Sequence, residues 1–389
     1  MKIFYINSVC GVGSTGRIVT DMHNTVTSRG HESIIAYGRG TARGVDDKCV
    51  FKIGSLSEVC IHALMSRFTD KTGLYSKKGT RELIKRIKEF SPDVIHLHNI
   101  HGYYVNIKIL FDFLKQYKGK VIWTLHDCWS FTGHCSYFNY IGCEKWKTEC
   151  DACANSNRYP KSFVDRSKEN FYLKKDLFSG IENMTLVTPS AWLANLVKQS
   201  FLGSYSVKVI NNGIDTEIFK PTQSDFKQIH NLTHKKIVLG VANVWSTRKG
   251  MNDMFKLADM LGDSYQVVLV GLNDKQCKCI PDNVLGIKRT NSVKELAAIY
   301  TAVDVFVNPT YDDNYPTVNL EAFACGTPCI TYATGGSVES VHNKMIVKKG
   351  DVEGIYKLIT ANELYLGELD HIDKSCMVEQ YIKLYEAQE

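Results

Sequence analysis

No run of about 18 consecutive apolar residues occurs in the 389 positions, so no segment is suited to cross a bilayer as a helix. The opening Met1–Asn7 lacks the long apolar core and cleavage site of a secretory leader and reads as a first strand. A cytosolic setting is therefore expected, with peripheral contact at the inner face of the cell membrane as an extension of it. In that setting the 13 cysteines read as thiols or metal ligands before disulfides. Internal repeats and low-complexity tracts are absent, which leaves ordinary globular domains. The net charge of +6 is mild, and no run of basic and aromatic residues resembles a nucleic-acid module, so no nucleic-acid partner is expected.

With 44% apolar and 23% charged residues, the chain can build cores, and its length calls for two of them. Strand-like runs alternate with helical patterns throughout. In the first half they are 2–8, 32–37, 93–98, 121–126, 185–188 and 207–210, and in the second 236–241, 266–270, 284–288, 303–307, 328–332 and 345–347. Several are apolar on both faces, as parallel strands covered by helices should be. The pattern predicts two doubly wound α/β domains in series, 1–212 and 213–375, and an amphipathic helix at 376–389. Ser292-Val293-Lys294-Glu295 has the form of a capping box.

The richest segment is 309–339. Asp313 precedes Glu321 by eight positions, and Asn314-Tyr315-Pro316-Thr317 forms a turn into an apolar helix. Two carboxylates and free N–H groups of a helix start suit a phosphate-linked sugar, since helix N-termini attract anions and carboxylates bind hydroxyls. In the same domain, strand 236–241 leads to Arg248-Lys249-Gly250, a fork and a point charge suited to a diphosphate. The plainer reading of that pair is a solvated basic turn.

In the first domain, Gly11-Val12-Gly13-Ser14-Thr15-Gly16 matches G-x-G-x-x-G between a strand and a helix. The second strand ends Ala36-Tyr37-Gly38-Arg39 without an acid for a ribose, so Arg39 keeps an NADP-dependent reductase open as an alternative. His126 ends an apolar strand, where it is placed for chemistry or for a hydroxyl, or is satisfied within the fold. His96 and His98 share one face of their strand and read as structural. An insert at 133–153 carries Cys135, Cys143, Cys150 and Cys153, which resemble a structural zinc knuckle with His134 as a spare ligand. Free thiols in a tyrosine-rich loop are the other reading. Between Lys71 and Phe90, seven basic residues accompany Leu83, Ile84, Ile87 and Phe90 at helical spacing, as a helix packed on a sheet or one leaning on anionic lipid.

Taken together, the glycine loop, Asn212-Gly213-Ile214-Asp215 with Phe219-Lys220-Pro221, Lys249-Gly250 and the segment Pro309 to Glu339 resemble retaining glycosyltransferases of family 4. The stretch Thr132 to Cys153 resembles a branch found in bacterial capsular and exopolysaccharide gene clusters. The resemblance implies the GT-B fold of two facing Rossmann-like domains, an acceptor domain and a nucleotide-sugar donor domain, with a cleft between them. It implies a hexosyltransferase that moves a sugar from a UDP- or GDP-linked donor to a saccharide or lipid-linked saccharide acceptor, with retention and without a catalytic metal.

By the same resemblance Glu321 holds the ribose, and Asp313 with the backbone of Asn314, Tyr315 and Pro316 holds the donor sugar. Arg248, Lys249 and the amide of Thr317 neutralise the diphosphate, Gly13 lies in the phosphate- or acceptor-facing loop, and His126 contacts the sugar. Two departures stand out: the family usually has Glu where Asp313 stands, and often Arg where Asn243 stands. A GT-B sugar-nucleotide epimerase is a further alternative.

Overall fold

The computed structural model describes residues 1–367, 370 and 372–387. The chain divides into two compact units, Met1–Asn211 with the segment from Met377 onward, and Asn212–Cys376. Each is built on one wholly parallel sheet.

The first sheet holds β1 (Lys2–Asn7), β2 (Glu32–Tyr37), β3 (Val50–Lys52), β4 (Val94–Leu97), β5 (Lys120–Thr124), β6 (Met184–Thr188) and β7 (Val207–Val209), in the order β3-β2-β1-β4-β5-β6-β7. The second holds β8 (Lys236–Val241), β9 (Tyr265–Val270), β10 (Val284–Ile287), β11 (Val305–Asn308), β12 (Cys329–Tyr332) and β13 (Ile346–Val347), in the order β10-β9-β8-β11-β12-β13. In each sheet the direction of winding reverses beside one central strand, β1 in the first and β8 in the second. Open α/β sheets bind ligands outside the carboxyl ends of the strands at such a reversal. All twelve strands expected from the apolar pattern are present within a few residues. β3 has only three residues, too few to show a period, and it escaped that reading.

Burial on both faces explains the apolar runs. In the first unit, Phe4 and Ile6 pack with Leu83, Ile87 and Phe111 on one face, while Ile3 and Tyr5 pack with Ile18, Met22 and Tyr381 on the other. In the second, Val238 and Leu269 face Met254 and Leu257, and Ile237 and Leu239 face Tyr300 and Leu320.

The C-terminal helix spans Lys374–Glu386, and residues 388 and 389 of the expected 376–389 lie outside the described residues. From Met377 on it is part of the first unit's core rather than a separate element. Tyr385 Oη lies 2.7 Å from His96 Nδ1, His96 Nε2 lies 2.8 Å from Thr124 Oγ1, and Thr124 Oγ1 lies 3.0 Å from Tyr381 Oη. His96 is thereby satisfied inside the fold.

Two local expectations take a different form. Ser292 Oγ does accept from the Glu295 N–H at 3.1 Å, but the Glu295 carboxylate takes the N–H of Asn291 instead of Ser292, so the box is half closed. The basic helix Lys77–Phe90 buries Leu83 and Ile87 against the sheet, the plainer of its two readings. Exposed apolar side chains lie instead on the preceding helix, Leu56–Thr69, where Leu56, Ile61, Leu64 and Phe68 are 54–72% exposed.

Candidate active site

In the second unit the site grows from the loops after β8 and β11. β11 ends at Asn308, and the chain then turns through Thr310–Pro316 into the helix Thr317–Ala324. Pro316 occupies the cap position without a side-chain cap, and no acid sits in the first turn, so the helix start keeps its positive end open. The loop after β8 returns against this turn: Tyr311 N–H donates to Arg248 O at 2.7 Å, and the Arg248 guanidinium donates to Asp312 O. Lys249 Nζ reaches Asp313 Oδ2 at 2.5 Å, with both side chains mostly buried.

Burial raises the Asp313 carboxyl, but Lys249 and Arg248 outweigh it and hold the group below its ordinary value. For Lys249 burial wins over the attraction of Asp313, and its ammonium gives up a proton more readily than usual. The two directions describe one pair: the carboxylate is firmly ionised, while the lysine carries a desolvated charge that gains from another anion.

Gly335 supports the turn from behind. It has φ +54°, and a Cβ there would stand 2.1 Å from Asp313 O, while Gly336 N–H donates to that same oxygen at 3.1 Å. Asn314 N–H donates to Asp313 Oδ1 at 3.1 Å, and Asn212 Nδ2 donates to Tyr315 O at 3.1 Å. Glu321, 2% exposed and one turn into the helix, accepts from Tyr300 Oη at 3.3 Å. Thus Arg248, Lys249, Asp313, Asn314, Tyr315, Pro316, Thr317 and Glu321 meet at the carboxyl edge of one sheet. The supporting polar layer was not legible beforehand: Asn319 accepts from Asn308 Nδ2 at 2.8 Å and donates to Ser340 Oγ at 2.9 Å and Ser337 Oγ at 3.3 Å.

In the first unit, Gly11 N–H donates to Gly16 O at 3.1 Å, closing the loop before the helix Gly13–Ser28. Gly11 has φ +69°, and a Cβ there would lie 2.1 Å from Arg43 O, so glycine is required. Gly13 faces open space. His126 follows β5, with its ring stacked on His98 at 5.3 Å and its Nε2 3.0 Å from His98 Nδ1. Burial pushes the His126 imidazole down to about 4, against an upward pull from Asp127, so the ring is neutral at physiological pH. His98, read as structural, therefore touches the candidate catalytic side chain. Asp127 lies 2.8 Å from His101 Nε2, and His101 Nδ1 lies 3.0 Å from Tyr159 Oη; neither His101 nor Tyr159 stood out in the sequence.

In the insert the thiols contact one another and the backbone. Cys135 and Cys153 hydrogen-bond to each other, and Gly133 N–H donates to Cys150 Sγ at 3.2 Å. Among the described residues no three His, Cys, Asp or Glu side chains are grouped as a metal ion requires. His134 is engaged elsewhere, with Nδ1 2.6 Å from Asp70 Oδ1. The buried Lys174 pins the start of the insert by donating to Trp129 O at 2.7 Å and Thr132 O at 3.0 Å.

Two parallel-sheet units with polar loops at the strand ends define an α/β protein of the doubly wound class. Residues 15–218 match the family model described as Glycosyltransferase Family 4, and residues 222–363 match Glycosyl transferases group 1. The chain belongs to glycosyltransferase family 4, and it is an enzyme of the hexosyltransferase type.

Among its relatives is the Escherichia coli K12 protein described as the colanic acid biosynthesis glycosyl transferase WcaC, 26% identical over 85% of this chain and 82% of that one. The N,N'-diacetylbacillosaminyl-diphospho-undecaprenol alpha-1,3-N-acetylgalactosaminyltransferase of Campylobacter jejuni is 27% identical over 45% of this chain and 52% of its own. Anabaena Alr3699/HepE, solved in complex with UDP-glucose, superposes with a TM-score of 0.61 over 97% of this chain and 92% of that one, at 14% identity. That likeness establishes the fold, which is GT-B. A reductase built on the Gly11–Gly16 loop is not favoured by these matches. No helix among the described residues is long and apolar enough to cross a membrane.

Proposed function

We propose that this enzyme transfers a hexose from a nucleotide sugar to a saccharide acceptor, with retention of configuration, in the assembly of a bacterial surface polysaccharide. The observation that carries the reading is the desolvated Lys249–Asp313 pair beside the uncapped start of helix Thr317–Ala324. A leaving diphosphate draws on Lys249, Arg248 and the Thr317 amide, and fixed charges aimed at developing charge are the largest aid to breaking a sugar–phosphate bond. Asp313 is then partly released to accept sugar hydroxyls, and Glu321 takes the ribose. No protein base is assigned; the leaving phosphate takes the acceptor's proton. The relatives' descriptions support a polysaccharide product, and the UDP-glucose complex of the HepE structure supports a nucleotide-sugar donor.

Incubation with UDP- and GDP-hexoses and lipid-linked saccharide extracts tests this reading, with nucleotide release as the readout. Release above that of Glu321→Gln supports it, and no release from any donor counts against it.

A lipid-linked acceptor suits work in the cytoplasm at the inner membrane face, with helix Leu56–Thr69 as the contact rather than Lys77–Phe90. Its exposed Phe68 packs on exposed Phe163, ring centroids 5.4 Å apart, with Lys161 over the Phe163 ring. Apolar side chains next to cations suit an anionic lipid surface. Vesicles containing anionic phospholipid should sediment the protein, and Leu64→Asp with Phe68→Asp should abolish this; equal sedimentation of the variant would remove the proposal.

A further inference from the structure

Asp253 sits in the first turn of the helix Met251–Leu261, which follows Arg248-Lys249-Gly250 directly. An acid at that place favours a helix while it stays in water. This one is buried, and burial of a carboxylate is costly unless hydrogen bonds offset it. Its Oδ2 accepts two of them: the Tyr311 hydroxyl donates at 2.7 Å and the Tyr332 hydroxyl at 2.9 Å. The two rings meet edge to face with centroids 5.5 Å apart. Tyr332 closes β12, while Tyr311 belongs to the turn after β11. One carboxylate oxygen thus joins the helix after the β8 loop to the turn that carries Asp313. Burial and Asp253 together push the Tyr311 hydroxyl up to about 12, so it stays a donor across the physiological range.

The same two segments touch elsewhere. Gly250 has φ +74°, and a Cβ there would stand 2.1 Å from Pro309 O, so the helix start is pressed against the base of the turn. The Tyr311 N–H donates to Arg248 O at 2.7 Å. Two further ties use the cationic side chains, the Arg248 guanidinium on Asp312 O and Lys249 on Asp313. An incoming diphosphate draws on those two cations and weakens both ties. The Asp253–Tyr311 bond uses neither cation, so it holds loop and turn at their spacing while Arg248 and Lys249 change partner. Charges fixed in advance act without a cost of reorganisation.

We propose that Asp253 is a positioning residue for diphosphate binding: through the Tyr311 hydroxyl it holds the Arg248–Lys249 loop at a fixed spacing from the Asp313 turn. The assignment rests on the transferase reading and deepens it by naming a residue, one helical turn beyond Lys249, that sets the strength of the donor contacts. Tyr332 anchors the same oxygen from the sheet, so it shares the burial but not the link.

Titration calorimetry of the full chain with UDP and with GDP, alongside urea unfolding, tests this. Tyr311→Phe and Tyr332→Phe each remove one hydrogen bond from the same carboxylate oxygen, so their urea midpoints should fall by similar amounts. Only Tyr311→Phe should weaken the bound nucleotide, by about fivefold, which corresponds to one net hydrogen bond of prearrangement. Tyr332→Phe should keep the wild-type affinity. Asp253→Ala should weaken the nucleotide at least as much as Tyr311→Phe, and combining the two should add nothing. Wild-type affinity in Tyr311→Phe, equal losses of affinity in the two phenylalanine variants, additive losses in the combined variant, or no binding of either nucleotide by the wild type would each overturn the assignment. Failure of the transferase reading alone would appear as no nucleotide release from any donor, with nucleotide binding and its dependence on Tyr311 intact.

Discussion

Lys249 and Asp313 form a mutually compensating pair across two loops. Without ligand, each neutralises the other in a site where an isolated charge would be costly. Removing only the lysine leaves a mostly buried carboxylate uncompensated, at a cost of about 3–5 kcal/mol. We therefore expect Lys249→Ala to lower the urea midpoint and Lys249→Ala/Asp313→Asn to recover part of the loss; additive losses in that cycle would show the two side chains to be uncoupled. Nucleotide release should fall by about 10²–10³ in Lys249→Ala, the usual effect of losing one group that stabilises developing charge. Both residues were legible in the sequence, Lys249 from its place after a strand and Asp313 from its spacing to Glu321. Their pairing was not, because they are 64 positions apart and only the pairing of β8 with β11 brings their loops together. His101 and Tyr159 were missed for a related reason: neither belongs to a periodic run, and the route of the insert alone unites them.

Among the elements, the C-terminal helix illustrates how pattern and placement differ. Its apolar spacing marks Met377, Tyr381, Ile382 and Tyr385 as a buried stripe, and all four are buried. The spacing does not say which sheet receives the stripe. Polar pairing decides it, through Tyr385 to His96 and Tyr381 to Thr124. Tyr385→Phe should cost about 1 kcal/mol by loss of one net hydrogen bond, and Tyr385→Ala about 3–5 kcal/mol through the cavity. Equal losses in chemical denaturation of the two variants would mean that packing around the ring contributes nothing. The exposed face of helix Leu56–Thr69 teaches the converse. Its apolar residues lie at helical spacing like those of a core helix, and only the fold shows them uncovered.

Across the molecule, buried histidines concentrate in the first unit. Burial lowers His62 to about 3 and His126 to about 4, and it holds His96 and His98 well below their ordinary values. The unfolded chain binds those protons near pH 6.5, so it takes up more of them than the folded chain at any pH between there and about 4. Stability is then fully present above pH 6.5 and falls as the pH drops. Urea midpoints at pH 7.5, 6 and 5 should decline in that order, above the range where carboxylates contribute. A flat profile would mean that the imidazoles are solvated in the folded state.

By itself the sequence determined the α/β alternation, two parallel-sheet units and which candidate residues lie on the loops at the strand ends, because strand burial and strand-end loops leave local periodic and spacing signals. Tertiary structure alone decided which of those residues compensate one another, where the C-terminal helix docks, which helix keeps an apolar face open, and that Tyr159 meets His101 and Asp127. Those outcomes depend on contacts between distant positions, whose free energy is absent from any local stretch of chain.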